Sequence, residues 1–121
     1  MTRLLPVILF LLPAAARADW QPMGEFRITA YCPCVRCCGK TDGITADGTY
    51  APGSSERIVA APKEIPFGAR LWIEGVGVAV VHDRGRAITQ GRLELFFGKH
   101  KDALQWGVKH RKVFLWTDGK K

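Results

Sequence analysis

The sequence has no apolar run long enough to cross a bilayer as a helix, which takes about 20 residues. Its one marked run, Leu4 to Leu12, is too short, and none follows it. No transmembrane segment is therefore expected. Arg3 before that run and Ala16-Arg17-Ala18 after it have the form of a secretory signal peptide, residues 1–18, cleaved near Ala18. The residue directly after the cleavage site is Asp19, not a cysteine, which argues against a lipoprotein. Acidic residues are scarce too: 11 against 18 Lys and Arg, a formal charge of +7. None precedes Asp19, so losing Arg3 and Arg17 on cleavage lowers the charge from +7 to +5. In the cytosol that surplus would suggest nucleic acid. In an exported, periplasmic or secreted chain it favours anionic envelope polymers, and no nucleic-acid partner is expected. Internal repeats and low-complexity segments are also absent.

What is present begins with four cysteines in one cluster, Cys32-Pro33-Cys34-Val35-Arg36-Cys37-Cys38. An oxidising compartment favours disulfides, and four cysteines allow three connectivities. Bonding the neighbours Cys37 and Cys38 to each other would be strained, so Cys32 and Cys34 are each expected to pair with one of them. A zinc or thiol-redox role would rest on the CxxC of Cys34 to Cys37. Zinc ribbons use two separated knuckles, however, and one crowded turn makes a poor tetrahedral cage. No metal and no cofactor is expected.

Short β-like runs punctuated by Gly and Pro make up the rest. The pattern predicts strands at Phe26–Tyr31, Ile58–Ala61, Arg70–Ile73, Val76–His82, Arg92–Phe97 and Val113–Trp116. The second pair of these forms a hairpin around Glu74-Gly75. One helix is predicted over Lys99–Trp106, with Ala103 and Leu104 inward and Gly107 as its stop. Gly39 to Ser55 reads as a long ordered loop, stapled by the cysteines. Five or six strands and one helix suggest an all-β fold closed into a small barrel, which leaves no exposed edge. The expected organisation is a short segment at 19–25, the barrel domain at 26–117 and a basic tail at 118–121.

Cleaving a glycan without a metal requires a carboxyl group that stays protonated long enough to donate to the glycosidic oxygen. Asp83 ends one predicted strand and Glu94 lies within the next. Gly85 and Gly91 between them permit a tight connection. Alternation puts Leu93 and Leu95 on one face and Glu94 with Phe96 on the other, so a partly apolar setting would raise the pKa of Glu94. The alternatives are a surface pair of Asp83 with Arg84, Arg86 or His82, and a solvated Glu94 on an outer face.

Thr29-Ala30-Tyr31-Cys32-Pro33-Cys34 and Cys37-Cys38-Gly39-Lys40-Thr41-Asp42-Gly43-Ile44-Thr45-Ala46 resemble the opening of 3D-domain proteins. That family is named for three aspartates and is similar to the barrel of MltA-type lytic transglycosylases. Ala60-Ala61-Pro62, Ile65-Pro66-Phe67-Gly68, Asp83-Arg84-Gly85, Ala87-Ile88, Gly91, Leu95 and Ala103-Leu104-Gln105-Trp106-Gly107 continue the match in register. The resemblance implies a six-stranded double-psi β-barrel that cleaves the MurNAc–GlcNAc bond of peptidoglycan to 1,6-anhydro ends. It implies Asp83 as the second aspartate and Glu94 in the place of the third, the acid/base. The first would fall at Ala61 and is missing. Asp42, Asp47, Trp72 and Arg84 are candidates for substrate binding. The expected partner is a peptidoglycan strand, bound by a monomer. A non-catalytic glycan-binding module, using the same cleft with Trp72 or Trp106, is the second class.

Overall fold

A computed structural model describes residues 19–34, 42–85 and 87–118. The segment 1–18 expected to be a signal peptide, Cys37, Cys38 and most of the expected basic tail lie outside these residues. Among the described residues no helix is long and apolar enough to cross a membrane.

Six strands close into a barrel: β1 (Asp19–Tyr31), β2 (Ile58–Ala60), β3 (Arg70–Ile73), β4 (Gly77–Asp83), β5 (Arg92–Phe96) and β6 (Lys109–Thr117). Their order around it is β1-β5-β2-β4-β3-β6, and β6 pairs back onto β1. Pairs β1/β5 and β2/β4 are parallel, whereas the other four are antiparallel. One short helix, α1 (His100–Trp106), connects β5 to β6. This is the double-psi β-barrel that the resemblance implied.

The strands form where period-two patterning meets a closed interior. Strand β3 alternates exposed and buried residues along Arg70-Leu71-Trp72-Ile73. In β2 the run Ile58-Val59-Ala60 is buried throughout, as suits a strand covered on both faces. Every strand supplies a fully buried side chain: Ile28, Val59, Leu71, Ile73, Val81, Leu93, Leu95 and Val113 are all 0% exposed. Each such residue contributes about 1.5–3 kcal/mol by leaving water.

Two elements run longer than the pattern predicts. Strand β1 starts at Asp19 because residues 19–28 pair with β6, with a register shift at Pro22/Gly24 that conceals the alternation. Strand β6 starts at Lys109, since Lys109-His110-Arg111-Lys112 read as polar chain until opposed to β1. Helix α1 buries Ala103 but leaves Leu104 67% exposed, so Leu104 is not an interior residue. A helix of two turns has room for one inward position beside Trp106, whose indole Nε1–H donates to the Ile28 carbonyl at 2.9 Å. The disulfide staple is not supported: no disulfide occurs among the described residues, and the pairing expected at Cys37 and Cys38 falls outside them.

Candidate functional site: a two-carboxylate cleft

One end of the barrel opens into a cleft of about 770 Å³. Residues of four strands, β1, β2, β4 and β5, and of the flanking loops line it. Strand β5 directs Arg92, Glu94 and Phe96 into it, as Leu93 and Leu95 turn to the core. Parallel register sets Arg27, Thr29 and Tyr31 of β1 beside those three, and all three line the same cleft. Asp83, at the end of β4, supplies the second carboxylate. The cleft thus unites the two carboxyl groups that were 11 positions apart in sequence.

Glu94 is half-buried, and its Oε2 accepts the Thr29 hydroxyl at 3.3 Å. Burial pushes its carboxyl above the ordinary 4.5. The Thr29 hydrogen bond opposes that, and the charge of nearby Asp83 adds to it. Glycine geometry protects this setting. A Cβ at Gly85 would lie 2.9 Å from Ile88 Cγ1 and 3.9 Å from Glu94 Oε1, so the missing side chain keeps the wall beside the acid open. Gly91 has φ of 80°, the left-handed turn that delivers the chain into β5.

Three donors hold the Asp83 carboxylate in place. Its Oδ2 accepts the Tyr31 hydroxyl at 2.6 Å. Its Oδ1 accepts backbone N–H groups from Ala46 and Arg84, each at 2.9 Å. Tyr31 in turn meets Phe96 edge-on at 5.5 Å between ring centres. An acid raised by burial therefore stands beside a carboxylate supplied with three donors, in a wall stiffened by aromatic packing.

The other sequence candidates are placed differently. Arg84 lines the cleft, but its guanidinium donates to the carbonyls of Ala61, Asp83 and Ile65 at 3.3, 3.3 and 2.8 Å. It also lies 4.0 Å over the Phe67 ring, so it braces the strand ends. Ala61 is fully buried in the core, with its N–H donating to the Asp83 carbonyl at 3.2 Å. No side chain there reaches the cleft. Trp72, Asp42 and Asp47 are not among the cleft-lining residues. Trp72 packs edge-on against Phe114 on the outer face, and Asp42 accepts the Ile44 N–H at 3.0 Å within its own loop. Arg27, Thr29, Tyr31 and Arg92 were missed. Extending the alternation of Glu94 and Phe96 backwards finds Arg92, whereas Arg27, Thr29 and Tyr31 join the cleft only through the pairing of β1 with β5.

Asp47 instead ties the loop to β4. His82 Nδ1 lies 2.6 Å from Asp47 Oδ2, and His82 Nε2 lies 2.9 Å from Glu56 Oε1. Burial alone would lower the pKa of His82. The hydrogen bonds and charges of Asp47 and Glu56 outweigh it and raise the value above 6.5. For Asp47, burial acts upward, but hydrogen bonds from His82, Thr49 and Thr45 bring it down to about 2. The raised histidine contributes stability below pH 6.5 that is lost as pH rises through its folded value. The lowered aspartate contributes above pH 3.8 and fails as pH falls toward about 2. Thermal melts should show His82→Gln less stable than wild type by about 1 kcal/mol near pH 5, allowing for solvent screening, with the gap narrowing at alkaline pH. A gap that is constant with pH would show that charge plays no part in the clamp.

Comparison with known proteins agrees with the architecture. Residues 57–117 match the 3D domain. The chain is 33% identical over 87 residues to the "Putative cell wall shaping protein YabE" of Bacillus subtilis, covering 70% of this chain and 21% of that protein. It is 34% identical over 73 residues to the "Cell wall-binding protein YocH" of the same organism, covering 59% of this chain and 25% of that protein. The chain thus spans a quarter or less of the length of these relatives. With 61 of its 121 residues inside the matched domain, and the barrel and the aspartate at position 83 in place, the chain belongs to the 3D-domain family.

Proposed function

We propose that this protein acts on the peptidoglycan of the cell envelope and cleaves its MurNAc–GlcNAc bonds, leaving 1,6-anhydro ends. The observation that carries the reading is Glu94: a half-buried acid, raised by its burial and by Asp83, at the base of an open cleft. Names of the two relatives, a cell wall shaping and a cell wall-binding protein, support the substrate class.

In the proposed step, neutral Glu94 donates its proton to the glycosidic oxygen as the bond from the anomeric carbon to that oxygen breaks. Asp83, ionised, stabilises the positive charge that develops on the sugar. Glu94, now a carboxylate, accepts the proton of the sugar's own C6 hydroxyl while that oxygen bonds to the anomeric carbon. The acid is regenerated, and no water enters the product. Arg27 and Arg92 are register partners across β1/β5 and both line the cleft, where they offer positive charge to the carboxylates of the stem peptides.

Incubating the protein with purified sacculi and analysing released fragments by mass spectrometry tests the reading. Fragments bearing 1,6-anhydro ends are expected. Reducing ends instead would replace the transglycosylase reading with hydrolysis. Retention on sacculi with no release would leave a glycan-binding module, the use that a barrel without a carboxylate at position 61 would retain.

A further inference from the structure

We propose that Cys32, Cys34 and His100 form a binding site for a thiophilic divalent cation of the zinc class. The site is separate from the two-carboxylate chemistry and does not depend on the glycan reading.

Two distant segments converge here. Cys32-Pro33-Cys34 leaves the end of β1, while His100 opens α1, 66 residues beyond Cys34. His100 Nδ1 stands 3.3 Å from Cys32 Sγ and 3.4 Å from Cys34 Sγ, and the two sulfurs are 2.7 Å apart. These three ligand atoms form one compact group of the kind that holds a metal. Zinc takes sulfur at about 2.3 Å and imidazole nitrogen at about 2.0–2.1 Å, so tetrahedral geometry sets sulfur and nitrogen roughly 3.5 Å apart. Both sulfur–nitrogen distances already meet that value. The sulfurs have to separate by about 1 Å to reach the roughly 3.8 Å of a tetrahedral pair. Cys34 is the less buried of the two. Binding expels the two thiol protons to solvent, and the ion takes thiolate, thiolate and neutral imidazole.

A disulfide would use the sulfurs but has no need of the histidine, and a lone imidazole on a strand-to-helix junction has no need of two sulfurs. A cation of borderline softness uses all three. Its position suggests what it does. Tyr31, which holds Asp83, and Pro33, which lines the cleft, flank Cys32. Helix α1 is tied to β1 at its far end by Trp106. A cation on His100 ties the near end, so the ion supplies the staple that disulfides were expected to supply.

The test uses the full chain, reduced and freed of metal with a chelator, then titrated with zinc alone and separately with cobalt(II). One zinc per chain is expected, with intense tetrahedral cobalt bands and a thiolate-to-cobalt charge-transfer band. Zinc should protect Cys32 and Cys34 from alkylation. Cys32→Ser and His100→Ala, shown folded by circular dichroism, should each bind zinc at least about 10-fold more weakly. Three outcomes would overturn the proposal: no stoichiometric zinc in the reduced chain, His100→Ala binding as tightly as wild type, or unchanged alkylation of both thiols with zinc present.

Discussion

Glu94→Gln is expected to lower the release of glycan fragments from sacculi by at least about 100-fold, the usual contribution of a positioned general acid. The substitution retains the length of the side chain and its oxygen for the Thr29 hydroxyl, so geometry is preserved while the proton is lost. Its effect on stability should have the opposite sign. A carboxyl whose folded value is raised above 4.5 is least costly when neutral, so it loses stability as pH rises through that value. The amide has no charge to bury, and Glu94→Gln should melt a few degrees higher than wild type at neutral pH. A residue with a merely structural role would lose stability on substitution. Glu94→Asp retains the acid but withdraws it by one methylene, and a displacement of about 1 Å suffices for a loss near 100-fold. The pH profile offers a further check. On the proposed mechanism, activity requires protonated Glu94 and should fall as pH rises through its raised value. Asp83→Asn removes one of the influences holding that value up, after burial, so the alkaline limb should move to lower pH. An unmoved limb would mean that the two carboxyl groups do not communicate.

How much of this was legible in the sequence follows from the range of the interactions involved. Strand β5 could be read locally: Leu93 and Leu95 alternate with Glu94 and Phe96, and the structure buries the first two while directing the others into the cleft. Motif register located Asp83 in the same way. Arg27, Thr29 and Tyr31 could not be read alone, because they join the site only through the parallel pairing of β1 with β5, 65 residues away. Asp47 looked like a residue of the cleft-lining loop, but His82, 35 positions later, draws it aside. Arg84 sits beside Asp83 in sequence, yet three carbonyl oxygens claim its guanidinium. The cysteine cluster shows the same limit. Four sulfurs within seven residues suggest partners among themselves, and nothing nearby announces that His100 will arrive between two of them.

Leu95→Ala is expected to destabilise the domain by about 3–4 kcal/mol, the cost of a buried leucine whose cavity cannot collapse. Leu95 is 0% exposed and sits where β5 is paired on both sides, opposite Ala30 of β1 and Val59 of β2. Closure of the barrel fixes both neighbours, so neither strand can move inward to fill the space. A small domain has only about 5–15 kcal/mol to lose, and the change corresponds to a fall in Tm on the order of 10–25 °C. Val78→Ala serves as the control: Val78 is 47% exposed on β4, and its loss should cost about 0.5 kcal/mol or less. Leu95 also separates two effects that the cleft otherwise combines. Its neighbours in sequence, Glu94 and Phe96, both face the cleft while it faces the core. Well below its lowered Tm, Leu95→Ala should therefore keep most of its activity on sacculi, whereas Glu94→Gln loses activity and keeps its fold. If both variants lost activity in proportion to stability, the cleft would owe its geometry to the global fold, and the general-acid assignment of Glu94 would fall.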